Sequence, residues 1–289
     1  MKLAPLLQRY TASGLPANLF LVTTPIGNLE DITLRALRIL REEVTAIACE
    51  DTRQTQKLLV RFEIQKPLIS YHEHNEKTRT PELIKRLKAG ESIALVSDAG
   101  TPLVSDPGHR LVTAAIENGI RVVPIPGVSA ALAALTASGL PATDFRFCGF
   151  LPHKAGARHR FLEELKGETA TLIFYESPHR ILEALEDMDT VLGRSPVVLA
   201  RELTKVHEEF LRGTAAEILS ELRSRPSVKG EMTLLVAPSQ AAPAAGDPIA
   251  EVARLEAGGM DRMEAIKTVA RQFGLGKRDL YSKLVANSE

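Results

Sequence analysis

The alternation of apolar and amphipathic segments over the first 138 residues constrains the fold more than any other feature. Short apolar runs predict strands at 19–24, 44–49, 68–71, 92–97 and 121–125. The segments between them predict helices at about 33–42, 52–61, 79–89, 107–118 and 128–138. This order of elements predicts an α/β domain with a parallel or mostly parallel sheet and helices on both faces.

The second half of the chain predicts another α/β domain, in which the strands follow one another more closely. Strands are expected at 145–150, 171–175, 196–201 and 231–237, an alternating segment at 206–212, and helices near 156–166 and 178–192. The spacing favours a mixed sheet with hairpins.

A small helical region is predicted at the end of the chain. Residues 238–248 have the composition of a linker, and short helices are expected at 250–256, 262–273 and 277–285, the last two joined by a turn at Gly274 to Gly276. This region is either a helix-turn-helix that contacts RNA or a bundle that docks on the main body. We therefore divide the chain into a loose tail at 1–17, domains at 18–138 and 139–238, and a linker with a helical domain at 239–289.

Composition narrows the function classes. Among 289 residues, 36 Lys and Arg balance 36 Asp and Glu, aromatic residues make up 4%, and Trp is absent. Few aromatic residues argue against a base-stacking platform, and zero net charge means that any nucleic-acid contact needs a local basic patch. Cys49 and Cys148 lie in apolar stretches and are expected to be buried free thiols without metal-ligand spacing. No run reaches membrane-spanning length and no signal peptide is evident, so a cytoplasmic protein is expected.

A loop rich in Gly and Pro, Ser97 to Gly108, follows the fourth predicted strand and precedes a helix. Ligands bind at the carboxyl ends of parallel strands, where glycine allows close backbone approach and proline fixes the loop. Asp98 and Asp106 are suited to contact a hydroxyl, an amine or a cation. A plain strand-to-helix turn is the alternative interpretation of this loop alone.

Two further loops favour a ligand site. Pro25 to Asn28 follow the first predicted strand, and Pro126 to Ala130 follow the fifth, before a helix of small residues. Loops at the ends of strands in one sheet can converge on one ligand. None of them matches a dinucleotide-binding GxGxxG pattern or a P-loop.

The ordered set of motifs in this chain resembles the tetrapyrrole methylase superfamily. The motifs are TPIGNLEDIT (24–33), EDTR (50–53), SYHEHNE (70–76), SDAGTPLVSDPG (97–108), PGVSA (126–130), GFLP (149–152), YESPHR (175–180), ARELTKVHEE (200–209) and KGEMTLLV (229–236). The set is similar to the branch of the superfamily that methylates the ribose 2′-oxygen of a decoding-centre cytidine in 16S rRNA. The resemblance covers residues 18–237 and implies two α/β domains, S-adenosylmethionine in a cleft between them, the 30S subunit as partner, and a homodimer.

The resemblance also implies which residues bind the cofactor. The first-domain candidates are Pro25, Asp98, Ala99, Gly100, Thr101, Ser105, Asp106, Gly127, Ser129 and Ala130. Phe150 and Leu151 would close the cleft from the second domain. No metal is expected.

Candidate catalytic groups follow the second and third strands. Methyl transfer to a hydroxyl benefits from a nearby base, and Glu50, Asp51 and His74 are the candidates. An ion-pair network with Arg53 is the alternative for the two carboxylates. His72 and His74 alternate along an extended segment, so at most one of them is expected to face the site.

Basic residues near strand ends are the candidates for RNA contact. They are Arg53, Lys154, Arg158, Arg160, His179, Arg180, Arg201 and Lys205. The alternative interpretation of the basic cluster at 153–160 is a solvated helix face without a ligand. Two other functions remain open: a tetrapyrrole methyltransferase of the same fold, and a ribosome-binding assembly factor without turnover.

Overall fold

A computed structural model describes residues 17–239, 247–273 and 275–286. The predicted N-terminal tail, most of the predicted linker and Gly274 of the predicted turn lie outside these residues, apart from residue 17 of the tail. No helix among the described residues is long and apolar enough to cross a membrane.

The first sheet is fully parallel. Its strands are β1 (Asn18–Val22), β2 (Ala46–Cys49), β3 (Leu68–Ser70), β4 (Ile93–Val96) and β5 (Arg121–Ile125), in the order β3-β2-β4-β1-β5. Each adjacent pair is parallel, which confirms the predicted sheet. The carboxyl ends of all five strands therefore lie at one edge.

The helices of this region follow the predicted positions with shifted ends. They are α1 (Leu34–Arg38), α2 (Thr52–Arg61), α3 (Glu76–Lys88), α4 (His109–Glu117) and α5 (Ala130–Ser138). The predicted helix at 33–42 is only partly α-helical, because a π-helical turn, Ile39–Glu43, follows α1.

Alternating residues of the central strands supply a core to each face of this sheet. Phe20 and Ala94 belong to one buried cluster, whereas Leu19, Ile93 and Leu95 belong to the other. Because successive side chains point to opposite faces, a strand buried on both faces reads as a continuous apolar run. This explains why the sequence predicts these strands correctly.

The second sheet also has five strands. They are β6 (Phe145–Phe150), β7 (Thr171–Glu176), β8 (Pro196–Arg201), β9 (Glu209–Thr214) and β10 (Met232–Val236), in the order β6-β7-β10-β8-β9. β6 and β7 are parallel, with a register shift between Phe147 and Gly149. The alternating segment predicted at 206–212 becomes a strand that starts three residues later.

Three helices accompany this sheet, and three more form the terminal region. They are α6 (Ala155–Leu165), α7 (Ile181–Leu192), α8 (Ala215–Ser224), α9 (Pro248–Ala257), α10 (Arg262–Gln272) and α11 (Lys277–Ala286). The terminal helices share a buried apolar cluster that includes Val252, Ile266 and Leu280.

Two expectations for the second half are wrong in detail. The helix predicted at 178–192 begins at Ile181, so His179 and Arg180 lie in the preceding turn and not in the first helical turn. Cys148 is only half-buried, whereas Cys49 is buried; both thiols are free. The sequence could not separate the two cysteines because both sit in apolar strands.

The described residues divide into two compact units. The first holds residues up to Ala137 together with Ala200–Phe210 and Gly230–Thr233. The second holds Ser138–Leu199, Leu211–Lys229 and the described residues from Leu234 onward. Two short segments that we had assigned to 139–238 thus belong to the first unit.

Candidate active site

The loops that follow β1 and β4 are joined by a short backbone bridge. The Thr24 amide donates to the Gly100 carbonyl at 2.9 Å, and the Gly100 amide donates back at 3.0 Å. The Thr23 hydroxyl lies 3.4 Å from that of Thr101. Two of the three predicted ligand loops therefore meet at the carboxyl edge of the sheet.

The loop after β5 packs against the loop after β1. A Cβ atom placed on Gly127 would lie 2.7 Å from both Cβ and Cγ2 of Thr23, closer than real Cβ contacts allow. Only glycine permits this approach. Ser129 and Ala130, both half-buried, lie two and three residues after Gly127, and Ala130 begins the small-residue helix α5.

The 97–108 loop contains several residues with left-handed backbone. Leu103 has φ 73°, Ser105 has φ 65°, and Gly100 and Gly108 have φ 82° and 137°. Non-glycine residues in this region cost roughly 1–3 kcal/mol each and persist where the surroundings over-determine them. Here the Leu103 side chain packs beside Gly108, where an added Cβ would lie 3.1 Å away. The loop shape is held despite its strain, as a preformed binding loop requires.

Three acidic side chains influence one another at the ends of β2 and β4. The pKa of Glu50 is raised mainly by burial and, to a smaller extent, by the negative charge of Asp98. Burial, followed by the charges of Glu50 and Asp98, raises the pKa of Asp106 from 3.8 to about 6. A cation placed among these carboxyl groups would relieve their repulsion. This is the electrostatic setting that a sulfonium or an ammonium group needs.

Asp51 has a structural role, contrary to its candidacy as a base. Its carboxylate caps α2 by accepting from the Arg53 amide at 2.8 Å, and it pairs with Arg53 Nε and Nη2 at 3.1 and 2.7 Å. The hydrogen bonds from Arg53 lower the pKa of Asp51 to about 2. Such a weakly basic group is a poor general base near neutral pH. Its own amide donates to Asp98 Oδ1 at 3.0 Å, which orients that carboxylate.

Asn75 fixes the imidazole of His72. The Asn75 side-chain oxygen accepts from the His72 amide at 2.9 Å, and its nitrogen donates to the Ser70 carbonyl at 3.1 Å. The same nitrogen lies 3.1 Å from His72 Nε2, which must therefore accept. His72 Nδ1 is buried and has no partner among the described residues.

His74 is exposed and lies edge-on to His72, with ring centroids 6.0 Å apart. Of the two candidate carboxylates, Glu50 is better suited than Asp51 to accept a proton. His74 keeps its candidacy as a prediction.

The other cofactor candidates are spread over both units. Pro25 and Thr101 are half-buried, and Ala99 and Ser105 are exposed. In the second unit, Leu151 is buried, whereas Phe150 is 51% exposed and lies edge-on to Tyr175 at 5.8 Å between ring centroids. A role for Phe150 and Leu151 in closing the cofactor site stays a prediction.

Three of the basic candidates are available for a phosphate. Lys154, Arg160 and His179 are exposed and have no ion-pair partner in the described part of the chain. The Arg53 side chain is 86% exposed, although it pairs with Asp51.

Arg158 is buried, which contradicts its interpretation as a phosphate contact. Its side chain is 2% exposed and pairs with Asp187 at 2.5 Å and with Glu183 at 3.3 Å. The sequence spacing put Arg158 in an exposed basic cluster, but this position faces α7. A buried guanidinium with carboxylate partners stabilises helix packing and cannot reach RNA.

Three other basic candidates also have internal partners. Arg180 donates to the Leu151 carbonyl and pairs with Glu176 at 3.4 Å. Arg201 pairs with Glu209. Lys205 pairs with Glu202 at 2.7 Å and with Glu231 at 3.0 Å.

Sequence reasoning missed how the 200–210 segment supports the β1 loop. The Thr204 hydroxyl accepts from the Asn28 amide at 3.1 Å, and a Cβ on Gly27 would lie 2.4 Å from Lys205 Cγ. Glu202 and Thr204 have φ 53° and 67°. No local signal links segments 176 residues apart, so only the structure shows this contact.

It also missed a cavity of about 230 Å³ between the β1 loop, α2 and Asp98. Within the described residues, no group of three or more His, Cys, Asp or Glu side chains is arranged to hold a metal.

Comparison with known proteins identifies relatives along nearly the whole chain. The family model for tetrapyrrole (corrin/porphyrin) methylases matches residues 18–219. A protein of Halalkalibacterium halodurans named ribosomal RNA small subunit methyltransferase I is 50% identical over 282 residues, which cover 95% of this chain and 97% of the relative. A protein of Mesorhizobium japonicum with the same name is 49% identical over 278 residues, 95% of this chain and 93% of the relative.

Solved structures share the fold at low sequence identity. Uroporphyrin-III C-methyltransferase from Thermus thermophilus, complexed with S-adenyl homocysteine, has a TM-score of 0.52 and 20% identity. The match covers 76% of this chain and 97% of that one. At this identity the likeness shows the fold alone.

Proposed function

This chain belongs to the tetrapyrrole (corrin/porphyrin) methylase family, and on that premise we propose that it transfers the methyl group of S-adenosylmethionine to the ribose 2′-oxygen of a decoding-centre cytidine in 16S rRNA. The observation that carries the proposal is the identity of about half of all residues, over nearly the whole chain, with relatives named for rRNA methylation. The tetrapyrrole enzymes with the same fold are only 16–23% identical.

The residues at the carboxyl edge of the first sheet fit the cofactor. S-adenosylmethionine carries a sulfonium, an ammonium and polar adenosine edges, and when bound it supplies an electrophilic methyl group. Asp98 and Asp106 provide negative charge, and the bridged loops at Thr24 and Gly100 bring backbone close without bulky side chains. Gly127 keeps the third loop against them.

Glu50 is the group that we assign to proton removal. A ribose hydroxyl is a weak nucleophile, and a positioned base contributes roughly 10²–10⁴-fold to its reaction. With S-adenosylmethionine held beside Asp98 and Asp106 and supplying the methyl group, the Glu50 carboxylate would accept the proton of the attacked ribose hydroxyl. The raised pKa of Glu50 makes it a better acceptor than the low-pKa Asp51.

Positioning supplies much of the remaining acceleration. Two reactants held in line gain effective molarities of up to ~10⁵–10⁸ M in favourable cases. The Asn75–His72 arrangement and the strained 97–108 loop are both pre-organised, so little reordering is needed when the reactants bind.

Exposed basic residues of the second unit are the proposed phosphate contacts. Lys154 and Arg160 place positive charge on a chain of zero net charge, and His179 is also exposed. Such contacts set affinity and register, and they do not read sequence.

A comparison of three methyl acceptors tests the proposal. Purified protein and labelled S-adenosylmethionine are incubated separately with 30S subunits from a strain lacking this gene, with naked 16S rRNA, and with a uroporphyrinogen-type tetrapyrrole. We expect label on the 30S subunits. Label on the tetrapyrrole alone would overturn the RNA assignment, and cofactor binding without transfer to any acceptor would favour an assembly factor.

A further inference from the structure

A cavity of about 230 Å³ in the first unit lies next to the predicted cofactor loops. Its walls come from three segments that follow β1, β2 and β4. Pro25 and Leu29 belong to the β1 loop, Gln54 and Leu58 to α2, and Asp98 to the β4 loop. All of these residues lie in the same compact unit.

The size of the cavity suits a small ring system. Pockets that take whole drug-sized ligands span roughly 300–1,000 Å³. A cavity of 230 Å³ is smaller than these. It has room for one nucleobase with part of its sugar.

The lining combines apolar faces with polar edges. Pro25, Leu29 and Leu58 offer apolar surface to the faces of a ring. Gln54, which is exposed, offers an amide to the edge of a ring. Extruded bases are held by this combination of contacts to ring faces and hydrogen bonds to base edges.

Positive charge lies beside this cavity. Lys57 lines it and is exposed, its ammonium donating to Gln54 Oε1 at 3.0 Å. Arg53, one residue before Gln54, has a side chain that is 86% exposed. Lys and Arg so placed contact phosphates of a nucleic-acid backbone.

The location matches what methyl transfer requires. Asp98 and Pro25 border the cavity and are also cofactor candidates, whereas Gly100, Thr101 and Asp106 do not line it. An occupant would therefore lie against Pro25 and Asp98 and next to the other cofactor candidates.

We propose that this cavity receives the single ribonucleotide that is to be methylated, turned out of the RNA so that its base enters between the β1 loop and α2. The inference rests on the proposed RNA substrate and adds the subsite for the target nucleotide. Gln54 hydrogen-bonds the base edge, and Lys57 contacts a neighbouring phosphate.

A filling substitution tests the cavity, with a matched control on the same helix. Leu58→Trp places an indole in the cavity, whereas Val60→Trp adds the same group at a site that is 66% exposed and outside it. Binding of the probe, cytidine 5′-monophosphate, is measured by saturation-transfer NMR. Wild type and Val60→Trp should show transfer to the cytosine protons, and Leu58→Trp should not.

The same variants are compared in methyl transfer to 30S subunits. Leu58→Trp should lower kcat/KM for 30S subunits by at least about tenfold, while its calorimetric affinity for S-adenosylmethionine stays within about twofold of wild type. If Leu58→Trp keeps the unfolding midpoint of wild type but fails to bind the cofactor, the cavity takes the cofactor and the subsite is overturned. If Leu58→Trp does not fold, Gln54→Ala replaces it. Gln54 is exposed, so this change should weaken the nucleotide signal without unfolding the protein.

The outcomes separate this inference from the proposed function. Loss of the nucleotide signal in the cavity variants supports the subsite even if wild type fails to methylate 30S subunits. A Leu58→Trp protein that binds the nucleotide and methylates 30S subunits like wild type overturns the subsite and leaves the proposed function standing.

Discussion

At the scale of single residues, the acidic groups at the ends of β2 and β4 have divided roles. Arg53 keeps Asp51 ionised as a helix cap, whereas burial and mutual repulsion make Glu50 and Asp106 harder to ionise. Carboxyl groups whose surroundings push their pKa values apart are a common basis for assigning different chemical roles. The sequence shows only that acidic residues follow these strands, because their protonation depends on neighbours from other strands.

Asp106 makes stability depend on pH. Its folded pKa of about 6 lies above its ordinary value of 3.8, so the folded protein holds this proton more tightly than the unfolded chain. The resulting contribution of Asp106 to the free energy of unfolding is fully present below about pH 4 and is lost as the pH rises through 6.

We therefore expect Asp106→Asn to be stabilised relative to wild type by about 1–2 kcal/mol at pH 7.5, after discounting for partial solvent access, and by much less at pH 4.5. Denaturant unfolding at both pH values measures the difference. An equal difference at the two pH values would contradict the account.

Asp98 is expected to contribute directly to cofactor affinity. Its side chain is oriented by the Asp51 amide and stands in an exposed part of the strained loop. Asp98→Ala should weaken S-adenosylmethionine binding by about tenfold or more in calorimetry, equivalent to about 1.4 kcal/mol. Glu117→Ala, an exposed carboxylate at the end of α4, is the control and should bind like wild type. Unchanged affinity in Asp98→Ala would remove this residue from the site.

At the scale of elements, the site depends on how closely loops and helices approach. The sequence predicted the convergence of the three loops, because parallel strands bring their carboxyl ends to one edge. It failed for Arg158, because exposure of a helix position depends on which side packs against α7. It also failed for His179 and Arg180, because Ser177 and Pro178 resemble a helix start although α7 begins at Ile181.

Two glycines allow opposite predictions for the same substitution. Gly127→Ala puts a methyl group 2.7 Å from Thr23, so it should destabilise the protein by about 1–3 kcal/mol. Gly156→Ala lies inside α6 with nothing within 4 Å, so it should stabilise by about 0.5–1 kcal/mol. Thermal unfolding of both variants checks this contrast. Equal changes in the stability of the two variants would show that the loop after β5 does not stay in close contact with Thr23.

The Arg158 pairing gives a second contrast on α6. Arg158→Met leaves Asp187 with His159 Nε2, at 2.7 Å, as its only side-chain partner among the described residues. The loss of the guanidinium should cost about 2 kcal/mol, less than the roughly 3–5 kcal/mol of a fully unpaired buried charge. Arg160→Met, at an exposed position two residues away, should leave stability within about 0.5 kcal/mol of wild type and instead weaken 30S binding. A stable Arg158→Met protein would show that the pair contributes little.

At the scale of the whole molecule, the chain has zero net charge and two compact units, the second of which includes the terminal helical cluster. A neutral protein that binds RNA must concentrate its positive charge locally. The number and composition of the sheets followed from hydrophobic patterning. Hydrophobic patterning does not show that residues 200–210 and 230–233 belong to the first unit, because this assignment depends on contacts between residues distant in sequence.

We also propose that the protein works as a homodimer, as its family resemblance implies. Light scattering at working concentration should give about twice the chain mass of 31.5 kDa. A mass equal to that of one chain would contradict this prediction.

The most direct test of the central claim is to identify the methylated atom. Labelled 30S subunits are digested to nucleosides, the labelled product is identified by mass spectrometry, and nuclease mapping locates it in the 16S rRNA. The account predicts 2′-O-methylcytidine at a single decoding-centre position. Label on a base carbon or nitrogen, or on a ribose outside the decoding centre, would contradict it.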